Sequence, residues 1–266
     1  MTTTTATSPT TFPLLNRDPI TFQSAARHED HIINHISWFP ATQKLYGYLW
    51  AAPQRRAISS LTALHLGLDP ERQFARCVVQ QPETWIRGSF NVCIPVHVQD
   101  DSGRLTRKVL MRCPMAHKLA EHHYPGTVDE KLSSEVSTYI WMQQHCHDVP
   151  IANLLGFGFT DGRHFAQVCR RPFYIRWGRA IWQKLRAFLQ LPVPSQYIRT
   201  PSNYFLRTGY VILDYIEPTT GQMLSATWQS HSDDTQRRQN LFRGLSRLIL
   251  SVSRIPLPRI ASWRFH

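Results

Sequence analysis

The strongest constraint on the fold is a two-residue hydrophobic period that begins after Trp85. One side of this segment carries Phe90, Val92, Ile94, Val96 and Val98, and the other carries Asn91, Cys93, Pro95 and His97. Such alternation is typical of a strand that is buried on one face. Asp100-Asp101-Ser102-Gly103 is a turn signal, and the alternation resumes from Lys108 to Cys113. The pattern predicts an antiparallel hairpin.

Helical periodicity flanks this hairpin on both sides. Residues 23 to 81 have a helical pattern that is interrupted by Pro40, Pro53 and Pro70. Thr127 and Glu130 have the spacing of a capping box, so Thr127 is expected to be the N-cap of a further helix. Its expected apolar face consists of Leu132, Val136, Tyr139 and Ile140.

Three further elements follow in the second half of the chain. Residues 151 to 160 are expected to form a Gly-punctuated strand pair or a strand edge, followed by an Asp161-Gly162 turn. The continuous apolar run from Gly209 to Ile216 is typical of a strand buried on both faces. Leu241 to Val252 has the period of an amphipathic helix.

These patterns predict an α+β fold with four regions along the chain. The regions are a disordered Thr/Pro-rich tail (1–20), a helical N-terminal extension (21–81), an antiparallel sheet with one helix (82–235) that contains a basic insertion (165–202), and an amphipathic C-terminal helix with a final segment (236–266). The hydrophobic content of 42% and the aromatic content of 11% are sufficient for a buried core.

The positive charge of the chain is concentrated in one segment. The formal net charge is +12, and nine cations but no acidic residue lie between Asp161 and Asp214. A basic helix containing Trp177 and Trp182 is able to lie on an anionic membrane surface. The favoured interpretation is an insertion whose apolar side packs on the domain and whose arginines are solvated. Nucleic acid is the least favoured partner, since no stacking motif accompanies the charge.

The number of cysteines and the absence of long apolar runs indicate the cellular compartment of the protein. The five cysteines are odd in number and form no CxxC pair, which favours a reducing compartment. The first twelve residues lack the cationic start and apolar core of a signal peptide. No run of about 18 apolar residues is present. We therefore expect a cytoplasmic protein.

Histidines at helical spacing are a candidate metal site. His28, His31 and His35 fall on one helical face at i, i+3 and i+7. No carboxylate or cysteine stands in register as a fourth ligand, so a polar helix face is the favoured interpretation.

The turn Gly88-Ser89-Phe90-Asn91 is the first of three candidate nucleotide-binding elements. A glycine-containing turn between strands lets backbone amides approach a phosphate closely. Taken alone, a glycine that opens a strand more often simply forms a turn.

Arg112 and Glu135 form the second element. Kinases place a lysine on the strand after the phosphate loop and pair it with a glutamate of the next helix. Here Arg112 has that strand position, and Glu135 follows on the predicted helix. A local alternative pairs Glu135 with Lys131 at i, i+4.

The third element is the apolar strand from Tyr210, which leads into a polar turn at Glu217. The backbone of such a hinge meets the edge of an adenine in nucleotide lobes. Any buried central strand has a similar composition, so the signal lies in the order of the three elements. That order predicts a protein-kinase-like small lobe.

The chain resembles fungal members of the aminoglycoside phosphotransferase-like family, within the protein-kinase-like superfamily. The resemblance is carried by RGSFNVCIPV, VLMRCP, YPGTVDEKLSSEVSTYIWMQ, VPIANLLGFGF, YVILDYIEPTTGQMLSATW and RRQNLFRGLSRLILSVSRIPLPRIAS, and it covers roughly residues 40 to 262. It implies that Gly88, Ser89, Phe90 and Asn91 form the phosphate loop, with Arg112 and Glu135 as the strand–helix pair. It also implies that Tyr215, Ile216 and Glu217 form the hinge. The family function is ATP-dependent phosphoryl transfer to a small-molecule hydroxyl.

The chain departs from this family at the catalytic loop. Members carry an HxDxxxxN loop and a later metal-binding Asp after the segment that corresponds to PLPRI. His231-Ser232-Asp233 begins such a loop, but Arg238 stands where the Asn belongs and Asn240 lies two positions late. We therefore expect the large catalytic lobe to be absent, no catalytic residue, no Mg²⁺ site and at most weak ATP binding.

An alternative is a non-enzymatic binding module. It would act through the basic aromatic insertion and an exposed C-terminal helix, which would invite self-association or a protein partner.

Overall fold

The computed structural model of the chain describes residues 10–14, 17–27, 31–191, 194–257 and 261–265. These residues form ten strands and seven helices, which confirms the α+β class. The strands are β1 (Thr11–Leu14), β2 (Arg17–Thr21), β3 (Cys77–Val79), β4 (Ile86–Arg87), β5 (Asn91–Gln99), β6 (Leu105–Pro114), β7 (Leu154–Gly158), β8 (His164–Gln167), β9 (Tyr197–Thr200) and β10 (Tyr210–Asp214). The helices are α1 (Phe22–Arg27), α2 (His31–Trp50), α3 (Ala52–Leu66), α4 (Thr127–His145), α5 (Phe173–Phe188), α6 (Leu224–His231) and α7 (Thr235–Ser253).

An eight-stranded antiparallel sheet forms the centre of the molecule. Its order is β3-β5-β6-β10-β7-β8-β9, and β4 pairs with β5 beside β3. The predicted hairpin is confirmed, since β5 and β6 pair from Asn91 opposite Pro114 to Gln99 opposite Leu105. Gly103 supports its turn with a φ of +81°, which glycine adopts without strain. Phe90, expected on the buried side, instead precedes β5 and is 49% exposed.

The two faces of the sheet are covered by different helices. We call them the α3 face and the α4 face. On the α3 face, Val92, Ile94, Met111 and Tyr210 form one core with Ile58 and Leu61 of α3. On the α4 face, Leu132 and Val136 of α4 form a second core with Leu154, Phe157 and Val211. Helix α4 packs on β7 and β10. The part of the α4 face that belongs to β5 and β6 therefore lies next to the helix, not underneath it.

The capping box predicted for α4 is wrong, although the apolar face of the helix is confirmed. Thr127 is the first helical residue and not the N-cap. The N-cap position is occupied by Gly126, which has no side chain that could cap the helix. Glu121 supplies the cap instead: its carboxylate accepts hydrogen bonds from the backbone N–H groups of Gly126 and Val128, both at 2.7 Å. Burial alone would raise the pKa of Glu121, but these hydrogen bonds lower it.

We expect Glu121→Ala to lower the free energy of unfolding by about 1–2 kcal/mol, because the first amides of α4 lose a charged acceptor at the positive end of the helix dipole. Urea unfolding near neutral pH measures the change. Glu83→Ala is the control, because it also removes an acidic side chain but at an exposed turn. It should leave the midpoint of urea unfolding nearly unchanged. Equal effects of the two substitutions would contradict the assignment of Glu121 as the cap.

Two regions differ from their sequence-based predictions. Residues 11–14 and 17–20, placed in the disordered tail, belong to the paired strands β1 and β2. Residues 165 to 202, predicted as an insertion, contribute most of β8 and all of β9 to the main sheet, with α5 between them. None of the helices in the described ranges has the length and apolar character required to cross a lipid bilayer.

Candidate functional site

An ion pair joins the central hairpin to α4. Nη1 of Arg112, on β6, lies 2.6 Å from Oε1 of Glu135, on α4. The side chain of Glu135 is 17% exposed and that of Arg112 is 30% exposed. The pair is therefore partly shielded from water, which strengthens the attraction relative to a surface pair. The two residues predicted to form a strand–helix pair are in contact.

The local alternative for Glu135 is also present. Nζ of Lys131 lies 3.0 Å from Oε2 of the same carboxylate, one helical turn away. Lys131 also donates a hydrogen bond to Oδ1 of Asn91 at 3.1 Å. One carboxylate is thus shared by two cations, and Lys131 links it to the end of the predicted phosphate loop. The two pairings were predicted as alternatives, and Glu135 makes both.

The predicted phosphate loop is a tight, exposed turn at the start of β5. The backbone N–H of Gly88 donates to the carbonyl of Asn91 at 2.9 Å, and Met115 N donates to the carbonyl of Phe90 at 2.8 Å. Gly88, Ser89 and Phe90 are exposed, while Asn91 is buried. A Cβ at Gly88 would meet only the Asn91 carbonyl oxygen at 3.6 Å, so packing does not itself require glycine at this position.

The predicted hinge lies at the other end of β6. Nζ of Lys108 lies 2.9 Å from Oε2 of Glu217 and 5.5 Å from the centre of the Tyr215 ring. The backbone of Tyr215 donates to the Lys108 carbonyl at 3.4 Å. A turn from Glu217 to Gly221 follows. Tyr215 and Glu217 therefore form one group with Lys108, separate from the group around Arg112.

A strip of sheet connects these two groups. Lys108, Leu110 and Arg112 alternate along β6 and therefore point to the α4 face. Their partners on β5 are His97, Pro95 and Cys93, in the same order. Leu110 and Cys93 are only partly buried. Burial raises the pKa of the Cys93 thiol, with Arg112 opposing the rise. The strip thus has an apolar middle and a cation at each end.

A shallow cavity of about 470 Å³ lies beside the ion pair. Arg112 and Glu135 form one side of it, and Tyr139, Met142 and Ile151 line the rest. Burial raises the pKa of the Tyr139 hydroxyl, so this side chain is neutral at physiological pH. The site offers a guanidinium and several polar groups that are partly accessible to a ligand.

The segment that resembles a catalytic loop has a structural role. His231 ends α6, and Asp234 is the N-cap of α7, where its side chain accepts from Arg237 N at 3.0 Å. Asn240 accepts a hydrogen bond from Gln236 one turn earlier in α7. His231-Ser232-Asp233 thus connects two helices.

The candidate histidine cluster falls outside what can be described. His28 lies outside the described residues, and the side chains of His31 and His35 in α2 do as well. Among the side chains that are described, no group of three or more His, Cys, Asp and Glu residues is arranged to hold a metal ion.

A buried polar network on the α3 face was not predicted. The hydroxyl of Tyr210 lies 2.8 Å from Nε2 of His65 and 2.9 Å from Nδ1 of His164. All three side chains are at most 1% exposed. Burial lowers the pKa of both histidines, that of His65 to about 3, and raises that of Tyr210. The hydroxyl can donate to one neutral imidazole and accept from the other.

Comparisons with protein-family models, with curated proteins and with solved structures each find no match to this chain.

Proposed function

We propose that the central hairpin, α4 and the turn after β10 form a protein-kinase-like nucleotide-binding lobe that binds ATP weakly. The ion pair between Arg112 and Glu135 carries this proposal. In kinase-type lobes a cation on the strand after the phosphate loop pairs with a glutamate of the following helix, and it binds phosphate oxygens from that position. A helix that packs on a sheet does not in general bring these two residues, Arg112 on β6 and Glu135 on α4, into contact.

Two further features support the proposal. Along β6, Lys108 and Arg112 are about 13 Å apart at the usual rise per residue. The apolar strip between them offers a surface for a base and ribose. The Gly88 amide is bonded to the Asn91 carbonyl, so the exposed residues Ser89 and Phe90 would supply the amide donors to phosphates. Arg112 would hold phosphate oxygens, while the backbone near Tyr215 and Glu217 would contact the base.

Two features limit the affinity and the chemistry. Glu135 already binds two cations, so Arg112 is only partly available to a ligand. The 266 residues also contain no HxDxxxxN loop to supply a base and metal ligands. The chain therefore lacks the groups that neutralise developing charge in phosphoryl transfer. We expect it to bind nucleotide weakly without Mg²⁺ and to transfer no phosphate.

Calorimetric titration of the full chain with ATP is the test. We expect a dissociation constant of about 1 mM, which corresponds to roughly −4 kcal/mol. Arg112→Gln should weaken binding about tenfold, because it removes a charge-assisted hydrogen bond to phosphate. Glu135 keeps Lys131 as a partner in this variant, so the fold should persist.

Arg104→Gln is the matched control for this titration. Arg104 lies in the hairpin turn with an 82% exposed side chain, and its substitution makes the same change in net charge. Equal losses of affinity in the two variants would mean that ATP binding depends only on the net charge of the protein, which would contradict the proposal. Tight binding, or phosphate transfer above that of Glu135→Ala, would also contradict the proposal.

The exposed helices favour a second function, that of a binding module. The apolar side of α7 presents Phe242, Leu245 and Ile249 to solvent, each at least 49% exposed. The apolar side chains of α5 are exposed to a similar degree or more. Apolar surface on this scale is typical of interaction sites. This function does not require nucleotide.

A further inference from the structure

Helix α5 has the opposite orientation to an ordinary surface helix. At 100° per residue, six of its apolar side chains fall within an arc of about 120°. They are Phe173, Tyr174, Trp177, Ile181, Leu185 and Phe188, and their exposure ranges from 45% to 83%. None of the residues of α5 is buried. The sequence favoured an apolar side that packs on the domain, and in the structure that side faces solvent.

The side of α5 that faces the domain is polar. Nη2 of Arg179 donates to the carbonyl of Ser195 at 2.9 Å, and Nε2 of Gln183 donates to the carbonyl of Pro194 at 3.2 Å. An open cavity of about 820 Å³ lies between this part of the helix and the end of the sheet near Cys169 and Gln196. Phe173 and Trp177 of the apolar side also border this cavity, yet they are 80% and 73% exposed. The helix is therefore attached by hydrogen bonds along one edge, and its apolar side chains remain largely exposed to solvent.

The charge around this apolar side has one sign. Nine cations and no acidic residue lie between Asp161 and Asp214, and α5 lies in the middle of that segment. By the same 100° per residue, the exposed Arg176 lies about 60° outside the apolar arc, and the exposed Lys184 falls within it, between Phe173 and Trp177. Helices that lie in the interface of a membrane combine an aromatic apolar side with cations whose long side chains reach the headgroups.

We propose that α5 docks the protein on the surface of an anionic lipid bilayer. Its 16 residues span about 24 Å and would lie in the plane of the interface, with the aromatic side chains among the acyl chains and the cations at the headgroups. The inference rests on the second function above and names its partner, and it is independent of nucleotide binding.

Other partners satisfy fewer of these features. A second copy seated on α5 would bring Arg176 and Lys184 of both copies together, and like charges oppose such a contact. Nucleic acid would pair with the cations but would leave Trp177 and Phe188 in water. A bilayer with anionic headgroups can bury the apolar side of α5 among its acyl chains and pair with the cations at its surface.

Vesicle flotation of the full chain tests the inference. Vesicles of phosphatidylcholine mixed with phosphatidylserine should bind the protein, and vesicles of phosphatidylcholine alone should bind it much less. Trp177→Ser and Phe188→Ser should each lower partitioning roughly tenfold, because each removes a large inserted side chain. Arg176→Gln and Lys184→Gln should each lower it roughly fivefold on the anionic vesicles only.

Tyr124→Ser is the control, since Tyr124 is 70% exposed outside α5. It should bind vesicles as the unchanged chain does, and unfolding midpoints should agree among all variants. Equal binding to both vesicle types, or unchanged binding by the Trp177 and Phe188 variants, would overturn the inference. Self-association that these variants abolish, without vesicle binding, would overturn the membrane partner and leave the binding function standing. If the protein bound an oligonucleotide in a salt-sensitive way and did not bind vesicles, nucleic acid would replace the bilayer as the partner of α5.

Discussion

The folded chain should lose about 2 kcal/mol of stability between pH 7 and pH 5, because His65 is buried without its proton. Burial lowers the pKa of His65 from 6.5 to about 3, and repulsion from His164 adds to the effect. In the unfolded chain His65 accepts a proton near pH 6.5. Between these values the unfolded state binds more protons, so the free energy of unfolding falls as the pH falls.

The size of this effect is large for one residue. If the pH reaches 3, the loss from His65 is about 4 kcal/mol, against a total stability of roughly 5–15 kcal/mol for a typical domain. His164 contributes in the same direction, since burial also lowers its pKa. Carboxyl groups with lowered pKa values, such as Asp161, lose their stabilising charge at lower pH. Urea unfolding between pH 5 and 7 therefore isolates the histidines.

His65→Gln is the decisive variant for this prediction. Glutamine can keep a hydrogen bond to Tyr210 but cannot titrate, so the stability of the variant should depend much less on pH in this range. His123→Gln removes an exposed histidine and should leave the pH dependence unchanged. An identical slope in the unchanged chain and in His65→Gln would show that the acid lability has another source.

The hairpin and the strand–helix pair could be predicted because their determinants are local. The alternation through β5 and β6 assigns each side chain to a face, and the turn at Gly103 fixes the register. Once the register is set, Arg112 must point to the α4 face. The apolar period of α4 then determines which of its residues border that face, and Glu135 is one of them.

The cap of α4 and the orientation of α5 could not be predicted, for different reasons. Glu121 lies outside α4, and its use as a cap depends on how the chain folds back over residues 121 to 126. The amphipathic period of α5 identifies an apolar side but contains no information on what covers it. Only the hydrogen bonds of Arg179 and Gln183 show that the opposite side is attached to the domain.

The network around Tyr210 is hidden from sequence for a third reason. Its members are separated by 46 and 145 positions, so no local pattern connects them. His65 lies near the end of a helix between Leu64 and Leu66, and Tyr210 simply begins an apolar run. The available signal is the pair of glycines on β7, Gly156 and Gly158, which are unusual inside a strand. They mark the place where the imidazole rings approach the backbone.

That close approach predicts a severe effect of Gly156→Ala. A Cβ at Gly156 would lie 2.0 Å from Nδ1 of His65 and 2.7 Å from its Cγ, far inside van der Waals contact. Gly156 lies in the central sheet and His65 in α3, and both are buried, so neither can move without disturbing the core. We expect a loss of about 3 kcal/mol or more in the free energy of unfolding. Gly47→Ala, in α2 with open space around it, is the control and should stabilise by roughly 0.5–1 kcal/mol.

A double variant separates this clash from other effects of the substitution. His65→Ala removes the ring that the new methyl group would meet, so Gly156→Ala should cost much less in that background than in the unchanged chain. The coupling between the two sites, measured by urea unfolding of the four proteins, should be at least about 1 kcal/mol and favourable. Additive losses would mean that His65 does not occupy the space beside Gly156, and the network with Tyr210 would then have to be assigned differently.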